Sequence, residues 1–176
     1  PAPRRPRQLA LHLVRVLLFA SVIGLIHHEY AESKAAAALE PTSPLTLEDV
    51  QDLFPDAHAL SEEADARGLR EVLGAEGEVQ GSFLRTSPLS DGVIGFCGPT
   101  DTLVAFDTDG LLIGTKILSS HDTRDHVAAV RGDRTFLSHL RGLTWEEAAA
   151  NTEVDGVTGA TLTSVAIQEG ILLRLG

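Results

Sequence analysis

Residues 155–164 read Asp155-Gly156-Val157-Thr158-Gly159-Ala160-Thr161-Leu162-Thr163-Ser164, and they hold most of the chemistry legible in this chain. Four hydroxyls (Thr158, Thr161, Thr163, Ser164) crowd a turn of small residues. Behind it Leu162 to Leu175 is an apolar-periodic segment that predicts a helix. A helix start offers free backbone N–H groups and the positive end of the macrodipole, so such a turn can hold an anion. Ordinary N-capping uses the same residue types, because a Ser or Thr oxygen satisfies an orphan N–H. Residue types alone leave both readings open.

The order of the residues adds to this. Asp155-x-x-Thr158-Gly159-Ala160-Thr161 resembles the flavinylation motif of the FMN-binding domain family. That family includes covalent-flavin subunits of the sodium-pumping NADH:quinone reductase and the Rnf complex, and the flavin domain of the nitrous oxide reductase membrane regulator. The resemblance implies FMN joined by a dedicated flavin transferase, as a phosphoester, to Thr161. Asp155, Thr158, Gly159 and Ala160 would then shape the turn. Gly159 and Ala160 keep side-chain bulk from a phosphate, and the ester's charge suits a helix N-terminus. Thr163 and Ser164 either donate to the phosphate or cap the helix.

These residues need a scaffold, and the N-terminal segment is the first part of it. Arg4, Arg5 and Arg7 precede Leu9–Ile26, 18 mostly apolar residues that would span about 27 Å as a helix, close to the hydrocarbon thickness. His12 and Arg15 lie near the basic end, where long side chains reach the interface. We expect a basic tail at 1–8, a transmembrane anchor at 9–28, a linker at 29–45 and a folded body at 46–176. A cleaved signal peptide is the rival, disfavoured because no small-x-small site follows promptly. Residues 1–30 carry +3 and residues 31–176 carry −14, within a total of −11. The positive-inside rule then puts the N-terminus in the cytoplasm and the body on the extracytoplasmic side of a bacterial inner membrane. So acidic a body argues against nucleic acid. Cys97 is the one cysteine, which excludes an internal disulfide and a CxxC metal or cluster motif.

Along the body, Thr46 to Phe54 reads as a short capped helix ended by Pro55. Arg70–Leu73 and Val79–Thr86 read as a hairpin around Gly77. Residues 102–106 and 111–118 form a second hairpin about Asp107-Thr108-Asp109-Gly110. Asp125–Arg131 and Asp133–Leu140 look helical, and Thr144-x-x-Glu147 opens another helix with a capping box. The expected fold is α+β, with a mostly antiparallel sheet and short helices after one transmembrane helix.

This layout also resembles the FMN-binding domain, most strongly over 79–175. The family has a Glu-Thr-Pro-Gly stretch after the second strand of the pair. Here Asp122-Thr123 stand for Glu-Thr, and Arg124-Asp125 for Pro-Gly. The resemblance makes Thr123 a candidate flavin contact; a turn-stabilising role suits it equally. Phe96-Cys97-Gly98-Pro99-Thr100 ahead of the strand looks closer to the nitrous-oxide-regulator branch. His121 and His126 do not share a helix face, so a solvated loop is the default over a metal site. Cys97 reads as a small buried residue, with a reactive thiol the alternative, and Trp145 as a core residue heading its helix, with an indole against a flavin the alternative.

The resemblance implies an electron-transfer subunit carrying FMN outside the cytoplasm, rather than a stand-alone enzyme. Its partners would be membrane redox complex subunits or iron–sulfur or haem carriers on other polypeptides. The alternative is a non-flavinylated structural or assembly subunit of a membrane redox complex.

Overall fold

A computed structural model describes residues 6–39 and 43–176. The chain divides into two compact units at Leu39/Glu40. The first is one helix, α1 (Pro6–Leu39). Within it Ala10–His28, with a mean hydropathy of 1.9, is long and apolar enough to cross a membrane, and none of that window is buried. The segment from 29 expected as a linker is helical as far as Leu39. The reason is local: Ala35–Ala38 are strong helix formers, and no Gly or Pro intervenes before Pro41. Residues 1–5 of the expected tail and 40–42 of the expected linker lie outside the described residues.

The second unit is built on a five-stranded sheet in sequence order: β1 (Ala59–Leu60), β2 (Arg70–Leu73), β3 (Val79–Arg85), β4 (Thr100–Phe106) and β5 (Leu112–Ser120). Every pairing is antiparallel. β1 is too short to show a period and was not expected; it pairs Ala59 with Leu73. The turn between β4 and β5 has Gly110 at φ 78°, and the Asp107 carboxylate accepts from the N–H groups of Asp109 and Leu111.

Both faces of the sheet are covered, so β4 reads as a continuous apolar run rather than an alternating one. Leu103 and Ala105 join Phe83 and Val72 under α2 (Leu47–Gln51), which contributes Val50, with Phe54 just beyond it. Val104 and Phe106 join Leu84 beneath α3 (Arg124–Gly132), α4 (Trp145–Ala149) and α5 (Thr161–Leu175). Leu84 and Val104 are paired across β3 and β4, which sets the register of this face.

Asp133–Leu140 is not the expected helix. Only Ser138–Leu140 winds, as one 3-10 turn. The Asp133 carboxylate holds the Thr135 N–H (2.9 Å) and hydroxyl (2.7 Å), a local bond that competes with helical pairing. Leu137 then takes a left-handed φ of 57° while burying its side chain in the core.

Candidate functional site

Thr161 is the first residue of α5, and its N-cap is Ala160. The turn before it closes by an Ala160 N–H bond to the Val157 carbonyl (2.9 Å), with Gly159 at φ 81°, where a Cβ would be strained. The first helical bond of α5 runs from the Ser164 N–H to the Ala160 carbonyl (2.9 Å). The N–H groups of Thr161, Leu162 and Thr163 therefore have no carbonyl to meet within the helix. Thr161 is exposed, and its hydroxyl reaches only the Val157 carbonyl at a long 3.4 Å. Thr158 is exposed on the same turn.

The other candidate hydroxyls face inward. Ser164 is fully buried; its Oγ accepts from the Val157 N–H (2.9 Å) and lies 3.1 Å from the carbonyls of Ala160 and Thr161. That bond folds the turn back onto the helix. Thr163 is also buried, and its hydroxyl donates to Asp122 Oδ2 (2.5 Å). Asp155 points away from the helix start. Its carboxylate accepts from the Leu137 N–H (2.7 Å) and lies 3.7 Å from His139 Nδ1, while its own N–H donates to Gln168 Oε1 (2.8 Å). It anchors the turn.

Asp122 is the hub that sequence reasoning missed. Besides Thr163, its carboxylate accepts from the N–H groups of Phe96, Cys97 and Thr123, each at 2.9 Å. Burial by itself would raise its pKa, but the hydrogen bonds from Thr163, Phe96, Thr123 and Cys97 outweigh that and hold it below the usual carboxylate value. The loop 95–98 is drawn against the first turn of α5. A Cβ on Gly95 would sit 2.4 Å from Asp122 Oδ2 and 3.3 Å from Thr163 Cα; one on Gly98 would sit 2.6 Å from His121 Cβ. Gly-x-x-Gly spacing just ahead of a strand was the available signal, though a weak one.

Thr123 is the N-cap of α3, yet its Oγ1 makes no capping bond and is buried without a partner. His126 lies one turn further on, edge-on to Phe96 at 4.7 Å, with its Nδ1 likewise buried and unpartnered. Phe96 (54% exposed) and Leu162 (61% exposed) present apolar surface on the loop and on the helix start that Asp122 ties together. Cys97 is exposed, not buried as expected, because its N–H bond to Asp122 turns the loop tip outward. Trp145 is remote from the motif: its indole N–H donates to the Leu175 carbonyl (2.7 Å), at the opposite end of the 15-residue α5, and its ring stacks on Phe106. Among the described residues, no group of three or more His, Cys, Asp or Glu side chains converges as a metal site.

The arrangement is a helix N-terminus with an exposed threonine hydroxyl, beside a loop that presents an exposed phenylalanine and near two buried, unpartnered polar atoms. Residues 95–172 match the family model described as FMN-binding domain. The chain is 25% identical over 181 residues to the G subunit of the ion-translocating oxidoreductase complex of Stutzerimonas stutzeri, covering 95% of this chain and 77% of that protein. It is 28% identical over 111 residues to the G subunit of the Na(+)-translocating ferredoxin:NAD(+) oxidoreductase complex of Acetobacterium woodii, covering 57% of this chain and half of that one.

Proposed function

We propose that this chain, which belongs through residues 95–172 to the FMN-binding domain family of electron-transfer subunits, is a membrane-anchored flavoprotein carrying FMN phosphoester-linked to Thr161. The observation that carries this reading is the exposed Thr161 hydroxyl at the first position of α5, beside N–H groups the helix does not use.

The residues present fit the group. A phosphodiester keeps one negative charge, which a helix N-terminus favours by about 0.3–1 kcal/mol. Asp122 takes the Thr163 hydroxyl, while the Thr161, Leu162 and Thr163 N–H groups stay available to phosphate oxygens. The orphaned Thr123 Oγ1 provides a polar contact and Phe96 and Leu162 apolar ones for a planar ring. Once bound, the flavin would supply one- or two-electron redox chemistry. The chain's own part is to hold it: Thr161 bears the link, Gly159 and Ala160 leave space at the phosphate, and Asp122 fixes the loop against the helix.

Both relatives are named as parts of ion- or Na(+)-translocating complexes. By that likeness the partners of this chain are subunits of a membrane redox complex, with electrons passing between proteins rather than to a metabolite. The Arg residues ahead of Ala10–His28 support an extracytoplasmic body. A flavin transferase is required for maturation.

The decisive experiment is intact-mass analysis with in-gel flavin fluorescence on wild type and Thr161→Val, each coexpressed with a flavin transferase. We expect one FMN on wild type and none on the variant. No flavin on either, beside a labelled positive control, would leave the Gly-Ala-Thr turn as a cap and favour a structural role in the complex.

A further inference from the structure

The helix α5 is apolar on two faces. Ile167, Ile171 and Leu175, four residues apart, enter the core, and one such stripe is enough to hold a helix on a sheet. The opposite face carries Leu162, Val165, Ala166, Glu169, Leu172 and Leu173, which recur at three- and four-residue steps and so share one side. All six are exposed or half-buried. Leu162 and Leu173, 61% and 55% exposed, mark its ends, about 16 Å apart along the axis. The segment 86–98 runs antiparallel beside α5: a Cβ on Gly170 would sit 3.3 Å from Ser90 Cβ, and one on Gly95 3.3 Å from Thr163 Cα. The exposed Leu89 precedes Ser90 and the exposed Phe96 follows Gly95, so each end of the helix gains one large apolar neighbour. Scattered apolar residues on a surface are ordinary; a set aligned along one helix and its neighbouring segment marks a contact surface.

The charge on this surface is of one sign. Residues 86–98 and the exposed face of α5 hold Asp91 and Glu169 and no Lys or Arg. Arg174 is engaged elsewhere, its guanidinium donating to the carbonyls of Arg67 (2.6 Å) and Arg85 (3.2 Å). Glu169, near the middle of the stripe, is exposed and has no hydrogen bond or ion pair among the described residues. That carboxylate selects what can cover the face. A second copy packed on a two-fold axis centred on the stripe would bring two Glu169 side chains within about one turn of each other, like charge on like. A bilayer would put Glu169 in apolar surroundings and an acidic body on anionic headgroups. A protein surface with an apolar ridge and a Lys or Arg at its middle suits both the apolar stripe and its charge.

We propose that this face of α5 docks another subunit of a membrane redox complex, through an apolar ridge whose one basic residue pairs with Glu169. The proposal rests on the reading of this chain as a subunit of such a complex and not on the flavin. The stripe starts at Leu162, so the partner sits beside Thr161.

The test uses the full chain in membranes of its own host, run on native gels after mild detergent. Wild type should migrate in an assembly larger than the chain. Leu173→p-benzoylphenylalanine, irradiated there, should crosslink to one other polypeptide at a segment containing a Lys or Arg. Glu169→Arg and Leu173→Arg should each lower the share of chain in the assembly about ten-fold. Their melting temperatures should match wild type, since both side chains are exposed. Exchanging the crosslinked basic residue for Glu should restore assembly to Glu169→Arg; failure to do so overturns the pairing. Wild type migrating alone sinks the subunit reading and the proposal with it. Wild type in an assembly that either variant joins undiminished sinks the proposal alone, as does a crosslink to a second copy, to lipid or to nothing.

Discussion

Asp122 ties the loop at 96–97 to the start of α5. One carboxylate gathers four donors from the loop at 96–97, from Thr123 and from α5. Asp122→Ala leaves the buried Thr163 hydroxyl without its partner and frees the loop N–H groups, so it should lower stability by about 1–3 kcal/mol, read by denaturant unfolding. Its depressed pKa also has a direction in pH. A carboxylate with a folded pKa below its unfolded value of about 3.9 contributes stability that is present above that value and lost as pH falls through the folded one. Melting temperature should therefore fall as pH drops from 5 towards 3, and Asp122→Asn should flatten that slope. Parallel slopes for the two proteins would assign the acid sensitivity elsewhere. Gly95→Ala acts on the same contact by crowding: with Asp122 Oδ2 at 2.4 Å and Thr163 Cα at 3.3 Å from the new Cβ, it should cost about 1–3 kcal/mol.

At the scale of elements, the turn before α5 separates two glycines that look alike in sequence. Gly159 needs its positive φ of 81°, though a Cβ there would meet nothing. Gly156 has no such φ, and its Cβ would meet only Thr161 Cγ2 at an ordinary 3.6 Å. Gly159→Ala should cost about 1–2 kcal/mol, and Gly156→Ala under about 0.5, in paired thermal melts. The strands and capped helices were legible because they obey local rules: alternation, Gly at the turn, Thr144 with Glu147. Asp133–Leu140 was not. Its composition permits a helix, and the Asp133–Thr135 bond together with the Leu137 backbone bond to Asp155, 18 residues away, prevents it.

For the whole molecule, the acidic body and the apolar Ala10–His28 segment make the side of the membrane testable with the protein's own chemistry. Cys97 is the sole cysteine and is exposed. A membrane-impermeant maleimide should label it in intact spheroplasts; labelling only after lysis would put the body in the cytoplasm. Removing residues 1–39 should move the protein from the membrane to the soluble fraction, because both buried clusters of the body lie within 45–175.

The sequence by itself determined the membrane-length apolar segment, the antiparallel strands and the Gly-Ala-Thr turn at a helix start, because each is written in neighbours a few residues apart. Which hydroxyl remains available was decided only by the tertiary structure. Thr161, Thr163 and Ser164 are alike in type, and their fates differ because Asp122, 41 residues before Thr163, claims one of them and the Val157 turn another.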